Sequence, residues 1–310
     1  MKKVLHLDEN HEVLWNGLTA LGYHNEADYS SSYESLLEKI TDYDGLVIRS
    51  RIPIDRILLE NAKQLQFIGR VGAGLENIDL GAAIEQGITV VSAPEGNRNA
   101  VAEHAIGMLL SLLNHLKRAD QEVRKGIWKR AENRGIELSN LTVGIIGYGH
   151  MGKQFAKRLS GFDCEVLCYD ILDGVDNEHA RQVPLDVFKR EVDIVSLHTP
   201  QTPETIHLVN RSFIAEMHKP FWLINTARGS AVDTAALLEG LKSGKIKGAG
   251  LDVLEYENKA FTALFDQDQP AALKELLNRN DVLLSPHIAG WTHDSNYLLA
   301  KTVLDKIAEL

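Results

Sequence analysis

The stretch TVGIIGYGHMG, residues 142–152, decides the fold of this 310-residue chain. A short apolar run is followed by three glycines in G-x-G-x-x-G spacing, and a helical pattern comes directly after them. In such a strand–turn–helix unit, Gly147 makes the tight turn, Gly149 lets the backbone approach a pyrophosphate, and Gly152 lets the helix pack closely on the strand. The spacing and its setting therefore predict the first βα turn of a dinucleotide-binding fold.

An acidic residue ends the next predicted strand. Asp170 lies 21 residues after Gly149, which is the spacing at which a carboxylate binds the ribose diol of a dinucleotide. Because a carboxylate would repel a 2′-phosphate, the sequence predicts NAD rather than NADP as the cofactor. The predicted helix begins at His150 and Met151, where unpaired N–H groups would face the pyrophosphate. The alternative interpretation is a glycine-rich turn beside a solvated aspartate.

Short apolar runs alternate with helical patterns along nearly the whole chain, a rhythm typical of βαβ units. The runs lack strict in/out alternation, which indicates strands covered by helices on both faces. They cover residues 4–7, 45–48, 67–69, 89–91, 143–146, 166–169, 194–197, 222–224 and 282–284. A single long helical pattern from Asn99 to about Lys125 connects to a second sheet that begins at Leu141. The sequence therefore predicts an α/β fold with two domains built on parallel sheets.

Composition and charge exclude several classes of protein. Apolar residues make up 44% and charged residues 25% of the chain, which excludes disordered and collagen-like proteins. Because 33 Lys and Arg stand against 43 Asp and Glu, a formal net charge of −10, neither nucleic acid nor a membrane surface is an expected partner. The most apolar helical stretch, residues 105–113, is too short to span a bilayer. The two cysteines lie too far apart on one predicted strand to form a disulfide, and the first residues do not resemble a signal peptide. We therefore expect a cytoplasmic protein.

Two polar residues, Arg228 and His287, follow predicted strands, at the edge where open α/β sheets bind ligands, and Glu257 lies between them in the sequence. Arg228 can hold a carboxylate and lend positive charge to an adjacent carbonyl oxygen. His287 can donate or accept a hydroxyl proton, and Glu257 can stabilise its imidazolium form. Beside a nicotinamide, these groups would suffice for hydride transfer. Each also has a structural interpretation, as a surface arginine, a core or solvated histidine and an ordinary loop acid. No H-E-x-x-H or C-x-x-C motif occurs, so no metal is expected.

Seven ordered motifs carry a resemblance that covers almost the entire chain. The chain resembles the D-isomer-specific 2-hydroxyacid dehydrogenases, and among them it is most similar to short-type D-3-phosphoglycerate dehydrogenases. The motifs are GRVGAGLENID at 69–79, Asn97 with AVAEH at 100–104, the glycine loop, HTPQTPET at 198–205, NTARG at 225–229, GLDV at 250–253 and SPHIAG at 285–290. In this family the arginine, glutamate and histidine of these motifs are catalytic, which implies catalytic roles for Arg228, Glu257 and His287.

The resemblance also implies binding residues and a domain arrangement. Residues 1–98 and 287–310 would form a discontinuous substrate domain, with an NAD-binding Rossmann domain of residues 99–286 inserted and the substrate in the cleft. Homodimers would be built around the helix after Asn97. The substrate carboxylate would be held by backbone N–H groups of a short loop, and the implied substrate residues there are Val71, Gly72, Ala73, Gly74 and Asn97. The implied cofactor residues are Gly147, Gly149, His150, Met151, Gly152, Asp170, Thr199, Pro200, Thr226, Ala227, Asp252 and Gly290.

Two arginines, Arg49 and Arg51, follow the predicted strand at 45–48 and carry the clue to the substrate. Phosphoglycerate dehydrogenases have basic residues here that meet the substrate phosphate. The resemblance thus implies conversion of D-3-phosphoglycerate into 3-phosphohydroxypyruvate, a step of serine biosynthesis, with His287 as acid and base. A solvated strand end is the structural alternative for the arginines. Reduction of hydroxypyruvate or glyoxylate is the nearest functional alternative, and a corepressor-like protein that senses NAD(H) is the alternative from another class.

Overall fold

The computed structural model describes residues 1–257 and 270–310, which form two compact units. The first unit comprises Met1–Arg98 and Trp291–Leu310, and the second comprises the described residues of 99–290. Residues 287–290, which the sequence places in the first domain, belong to the second unit. The physical reason is that the backbone N–H groups of residues 287, 288 and 289 all donate to Asp252 of the second unit.

The first unit is built on a five-stranded parallel sheet with the strand order β2-β1-β3-β4-β5. The strands are β1 (Lys3–His6), β2 (His24–Ala27), β3 (Gly45–Ile48), β4 (Phe67–Arg70) and β5 (Thr89–Ser92). The helices are α1 (Glu12–Ala20), α2 (Tyr33–Lys39), α3 (Arg56–Asn61), α4 (Leu80–Glu85), the first turn of α5 (Pro94–Leu113) and α12 (His293–Ala308). The inner strands bury their side chains on both faces, as expected for a sheet covered by helices on both sides.

The C-terminal helix α12 completes the core of the first unit. Val303 packs against the sheet at Gly69, where a Cβ atom would lie 2.9 Å from a Val303 methyl carbon. Leu304 packs against α1 at Gly17, where a Cβ atom would lie 2.1 Å from a Leu304 methyl carbon. Glycine at these two positions lets α12 approach closely, so both ends of the chain contribute to one core.

The second unit is built on a seven-stranded parallel sheet with the strand order β12-β11-β10-β9-β6-β7-β8. The strands are β6 (Thr142–Ile146), β7 (Glu165–Tyr169), β8 (Arg181–Gln182), β9 (Ile194–Leu197), β10 (Phe221–Asn225), β11 (Ile246–Leu251) and β12 (Val282–Leu284). The remaining helices are α6 (Leu116–Arg124), α7 (His150–Leu159), α8 (Leu185–Glu191), α9 (Arg211–Glu216), α10 (Thr234–Lys242) and α11 (Ala271–Leu277). Strand β6 lies between β7 and β9, so the strand order reverses at the glycine loop, where open α/β sheets bind ligands.

The predicted α/β class with parallel sheets is confirmed, but three strands escape prediction. Strands β2 and β8 lie at sheet edges, so their side chains are largely polar and carry no apolar run. Strand β11 contains Gly248 and Gly250, which disfavour a strand in isolation. Glycine is needed at 250 because helix α5 packs there, and a Cβ atom would lie 3.1 Å from the Cβ atom of Met108.

The prediction of one helix from Asn99 to Lys125 is wrong. Helix α5 ends at Leu113 and α6 begins at Leu116, because His115 between them adopts a left-handed conformation with φ of 52°. In the part of the chain that the structure describes, no helix is both long and apolar enough to cross a membrane.

Candidate active site

The glycine loop joins β6 to α7, and its three glycines lie in different surroundings. Gly147 has a φ of 89°, and a Cβ atom there would lie 2.8 Å from the carbonyl carbon of His198. A Cβ atom at Gly152 would lie 2.2 Å from the carbonyl oxygen of Gly147. At Gly149 a Cβ atom would meet no atom within 4 Å, so this backbone faces open space at the N-terminus of α7. The loop therefore offers an uncovered backbone surface that an anion can approach.

The carboxylate of Asp170 holds the glycine loop against the end of β7. It accepts hydrogen bonds from the backbone N–H groups of Tyr148 (2.6 Å) and Leu172 (3.0 Å), one on each oxygen. A carboxylate has further acceptor capacity beyond two such bonds. Asp170 is therefore fixed beside the glycine loop while it keeps acceptor sites for a ribose diol.

Two threonine hydroxyl groups show where a dinucleotide would fit along the same sheet edge. Thr199 follows β9 and Thr226 follows β10, and the Oγ1 atom of each is buried without a hydrogen-bond partner among the described residues. Buried polar atoms are normally paired, so these two are suited to a polar ligand. Of the remaining predicted cofactor residues, His150 and Pro200 are exposed, Met151 and Gly290 are half-buried and Ala227 is buried. The strand ends of the second unit thus fit a bound dinucleotide.

Asp252, which follows β11, fixes the loop that carries His287. Its side chain, only 1% exposed, accepts hydrogen bonds from the Ser285 hydroxyl (2.5 Å) and from the N–H groups of Ile288 (2.9 Å) and Ala289 (2.8 Å). Its backbone oxygen accepts the N–H of His287 at 2.7 Å. The sequence assigned Asp252 to the cofactor, whereas in the structure its carboxylate bonds residues 285, 288 and 289. These four bonds hold His287 in a left-handed conformation with φ of 56°.

The structure brings Glu257 and His287 together. Both carboxylate oxygens of Glu257 lie 3.2 Å from Nδ1 of His287, and the two side chains are 16% and 26% exposed respectively. A carboxylate on Nδ1 sets the orientation of the ring and stabilises a proton on the imidazole. The pair has the geometry of a proton donor oriented by an acid, with Nε2 as the nitrogen on the opposite side of the ring.

Arg228 lies at the end of β10, the strand next to β11 in the sheet. The side chain of Asn225 shapes the turn before it, because Oδ1 accepts the N–H of Ala227 (3.0 Å) and Nδ2 donates to the carbonyl oxygen of Arg228 (2.9 Å). A Cβ atom at Gly229 would lie 2.0 Å from the carbonyl oxygen of Leu254. The loop of Arg228 therefore packs directly on the backbone that leads to Glu257, and β10, β11 and β12 deliver Arg228, Glu257 and His287 to one edge.

In the first unit, the two predicted arginines differ in their contacts. The Arg51 guanidinium donates to the carbonyl oxygens of Leu7 (2.9 Å), Ser31 (2.8 Å) and Asp28 (2.9 Å). These bonds join the ends of neighbouring loops and use three of the five guanidinium N–H groups. They give Arg51 a structural role, and its contact with a substrate phosphate stays a prediction.

The guanidinium of Arg49, by contrast, donates no hydrogen bond to any described residue. It stacks on the Trp291 ring at 4.3 Å from the ring centroid. Burial lowers the pKa of Arg49, and the charge of the nearby Asp8 carboxylate opposes that shift. A cation that keeps its N–H groups unused is suited to an anionic ligand.

The loop after β4 offers fewer donors than predicted. The N–H groups of Val71 and Gly72 donate to the carbonyl oxygens of Ile48 and Arg70, at 2.8 and 2.9 Å. Those of Ala73 and Gly74 make no hydrogen bond within residues 1–257 and 270–310 and are left for a carboxylate. Asn97 of α5 has a buried Oδ1 atom without a hydrogen-bond partner in the same residues. The predicted anion site is thus reduced to Ala73 and Gly74.

Residues 106–289 match the family described as D-isomer specific 2-hydroxyacid dehydrogenase, NAD binding domain. The chain belongs to this family. Membership confirms the predicted family, and the description of the matched region as an NAD binding domain confirms the predicted cofactor. It leaves the substrate open, because relatives with different substrates are similarly close.

Three similar proteins show how the substrates of the relatives differ. A D-3-phosphoglycerate dehydrogenase of Archaeoglobus fulgidus is 35% identical over 294 residues, which are 93% of this chain and 53% of that protein. A hydroxypyruvate reductase of Thermotoga maritima is 35% identical over 274 residues, which are 88% of this chain and 87% of that protein. The structure of a D-lactate dehydrogenase from Aquifex aeolicus, complexed with NAD and lactic acid, is 30% identical and matches 99% of this chain and 94% of its own with a TM-score of 0.83. The chain spans about half the length of the D-3-phosphoglycerate dehydrogenases that it matches.

Sequence reasoning missed several residues that position this candidate site. Asn225 shapes the turn before Arg228, and an asparagine at a strand end, just before a turn, is a signal that could have found it. Ser285 bonds Asp252 and lies 2.9 Å from Nε2 of His104 on α5. The contact of His104 joins residues 181 positions apart, so no local pattern could have predicted it.

Proposed function

We propose that this protein is an NAD-dependent D-2-hydroxyacid dehydrogenase that interconverts D-3-phosphoglycerate and 3-phosphohydroxypyruvate. The buried hydroxyls of Thr199 and Thr226, the open backbone at Gly149 and the Asp170 carboxylate support the cofactor site. When bound, NADH supplies the hydride that reduces the carbonyl carbon, and NAD⁺ accepts it in the reverse direction.

His287 is the proposed acid and base. In the reductive direction its imidazolium gives the proton from Nε2 to the substrate carbonyl oxygen, which becomes the hydroxyl group. Glu257 contacts Nδ1 at 3.2 Å, so it orients the ring and stabilises the charged form. Arg228 supplies a fixed positive charge that stabilises the negative charge developing on the same oxygen.

Arg49 is the observation that carries the choice of substrate. Phosphohydroxypyruvate has two anionic groups, a carboxylate and a phosphate. The first unit offers two sets of unused donors, which are the N–H groups of Ala73 and Gly74 and the guanidinium of Arg49. A substrate with a single anionic group would leave one of these sets unused.

Reduction of hydroxypyruvate is the second candidate function, and similarity to a reductase supports it. The Thermotoga maritima hydroxypyruvate reductase and the Archaeoglobus fulgidus D-3-phosphoglycerate dehydrogenase are both 35% identical to this chain. This alternative keeps the roles of His287, Glu257 and Arg228 and changes only that of Arg49.

Initial rates of NADH oxidation with a panel of 2-oxoacids test the proposal. The panel is phosphohydroxypyruvate, hydroxypyruvate, glyoxylate and pyruvate. We expect the highest kcat/KM with phosphohydroxypyruvate. Arg49→Ala should lower this kcat/KM by a factor that corresponds to a loss of roughly 1.5–3 kcal/mol in transition-state stabilisation, the range for hydrogen bonds to charged groups. Arg56→Ala is the matched control, because Arg56 is a half-exposed arginine of the same unit paired with Glu85.

The outcomes separate the candidates. An equal or higher kcat/KM with hydroxypyruvate would favour the reductase. Tight NADH binding without turnover of any 2-oxoacid would contradict a dehydrogenase and favour a corepressor-like protein.

The proposed assembly is a homodimer around α5, and the proposed location is the cytoplasm, where the free thiols of Cys164 and Cys168 would stay reduced. Apolar side chains exposed on α6 and the following loop support the dimer, and they are Leu116, Val123, Ile127, Trp128 and Ile136. Light scattering on the purified protein tests the dimer, and a monomer mass at micromolar concentration would contradict it.

A further inference from the structure

The Arg49 guanidinium stacks on an aromatic ring and donates no hydrogen bond to a described carboxylate, although the charge of Asp8 lies nearby. Trp291 lies under Arg49 at 4.3 Å, yet 66% of the tryptophan surface is exposed. The ring is therefore held at Arg49 by the cation–π contact more than by burial.

The backbone of Arg49 is fixed from two sides. Its N–H donates to the carboxylate of Asp8 at 2.6 Å, and its carbonyl oxygen accepts the side-chain amide of Asn77 at 3.2 Å. Arg51, two residues later, ties the same segment to the carbonyl oxygen of Leu7. The arginine side chain therefore extends from a rigid strand end.

Trp291 is fixed as well, because it directly precedes the N-cap of α12. Thr292 and Ser295 form a reciprocal capping box, in which Thr292 Oγ1 accepts the N–H of Ser295 (3.0 Å) and Ser295 Oγ accepts the N–H of Thr292 (2.8 Å). The helix start thus holds the backbone beside the ring, and the ring in turn supports the guanidinium.

An aromatic partner leaves the hydrogen-bonding groups of the arginine unused. A carboxylate partner would neutralise the guanidinium and occupy its N–H groups, so it would compete with an anionic ligand. A ring face stabilises the cation through cation–π attraction and leaves the N–H groups in the guanidinium plane. The arrangement is therefore a preorganised receptor for an anion.

We propose that Trp291 is a specificity-determining residue, which positions Arg49 so that the protein prefers 2-hydroxyacids carrying a phosphate monoester. This inference rests on the proposed function and deepens it. Trp291 acts through Arg49, so it is a positioning residue and not a catalytic one.

Steady-state kinetics on Trp291→Leu, Trp291→Phe and Arg49→Lys test this inference. Because a cation–π contact is worth about 1 kcal/mol, or about fivefold, we expect Trp291→Leu to raise the KM for phosphohydroxypyruvate about fivefold and to change kcat less. The ratio of kcat/KM for phosphohydroxypyruvate to that for hydroxypyruvate falls by the same factor. Trp291→Phe restores most of the ratio because it keeps a ring, and Arg49→Lys lowers it because an ammonium lacks the planar fork. Arg56→Lys is the matched control.

Calorimetric titration with inorganic phosphate, in the absence of NADH, gives a readout independent of turnover. We expect the parent protein to bind phosphate and Trp291→Leu to bind it at least about fivefold more weakly. Circular dichroism melting curves show whether each variant is folded, and Trp291→Met, which also lacks a ring, serves if Trp291→Leu does not fold.

The outcomes distinguish this inference from the proposed function. If the parent prefers phosphohydroxypyruvate and Trp291→Leu keeps that preference, the role of Trp291 is overturned while the function stands. If the parent shows no preference, the proposed substrate is contradicted, and phosphate binding that depends on Trp291 would still support the anion receptor. Phosphate binding that is absent from the parent, or equal in parent and variant, overturns the inference.

Discussion

Replacing Asp252 by asparagine tests how the loop of His287 is held. The carboxylate accepts three hydrogen bonds at 2.5–2.9 Å, from the Ser285 hydroxyl and from the N–H groups of Ile288 and Ala289. An amide can accept on its oxygen alone, so its NH₂ group would face at least one buried N–H donor. An unsatisfied buried donor costs about 1–3 kcal/mol, and the remaining bonds lose their charged acceptor, so we expect a loss of about 2–4 kcal/mol in stability.

The same substitution should lower kcat, because His287 would no longer be fixed in its left-handed conformation. A misplacement of about 1 Å can cost on the order of a hundredfold in rate. Urea unfolding followed by circular dichroism measures the stability, and initial rates with saturating NADH measure kcat. Ser285→Ala is the graded control, since it removes a single donor and should cost about 1 kcal/mol.

NADH binding separates two roles for Asp252. If the carboxylate acts by holding residues 285–289, Asp252→Asn lowers kcat with the Kd for NADH nearly unchanged. A raised Kd at parental kcat would instead support the direct cofactor contact predicted from the sequence. An Asp252→Asn protein with the parental urea midpoint and the parental kcat would refute the reasoning.

Three further substitutions test the remaining site residues. His287→Asn should lower kcat by about 10²–10⁴-fold, because the proton donor is lost, and NADH binding should be retained, because the cofactor-binding residues are unchanged. Titration of NADH fluorescence measures the binding, and a parental kcat would contradict the role of His287. Glu257→Gln should lower kcat, because the ring of His287 loses the carboxylate that lies 3.2 Å from Nδ1 and orients it; a parental kcat would mean that Glu257 does not act on His287. Asp170→Asn should raise the ratio of kcat/KM for NADPH to that for NADH, because the charge that repels a 2′-phosphate is gone, and an unchanged ratio would assign cofactor choice to another residue.

Local patterns predicted the parts of the site that depend on local geometry. The glycine spacing predicted the loop at residues 147–152, because the close approach of Gly152 to the carbonyl oxygen of Gly147 is a contact within one turn. The parallel sheets were predicted from apolar runs without in/out alternation, which need burial on both faces of the sheet. Roles for Glu257 and His287 were suggested by motif resemblance, and the adjacency of β11 and β12 explains how the two residues meet.

Contacts between distant residues could not be predicted in this way. Arg49 and Arg51 look alike in the sequence, and they differ because the carbonyl oxygens of Ser31 and Asp28 happen to lie within reach of Arg51. The stacking of Arg49 on Trp291 joins residues far apart in the sequence. The break at His115 was missed because the apolar pattern continues across it while the backbone does not.

Deuterium transfer from NADH tests the central claim most directly. NADH deuterated at both C4 positions is incubated with the protein and phosphohydroxypyruvate, and the product is analysed by mass spectrometry and by separation of its enantiomers. A D-2-hydroxyacid that carries one deuterium at C2 is the predicted result, and the same incubation with His287→Asn should yield far less of it. A product without deuterium, or of the L configuration, would contradict the account.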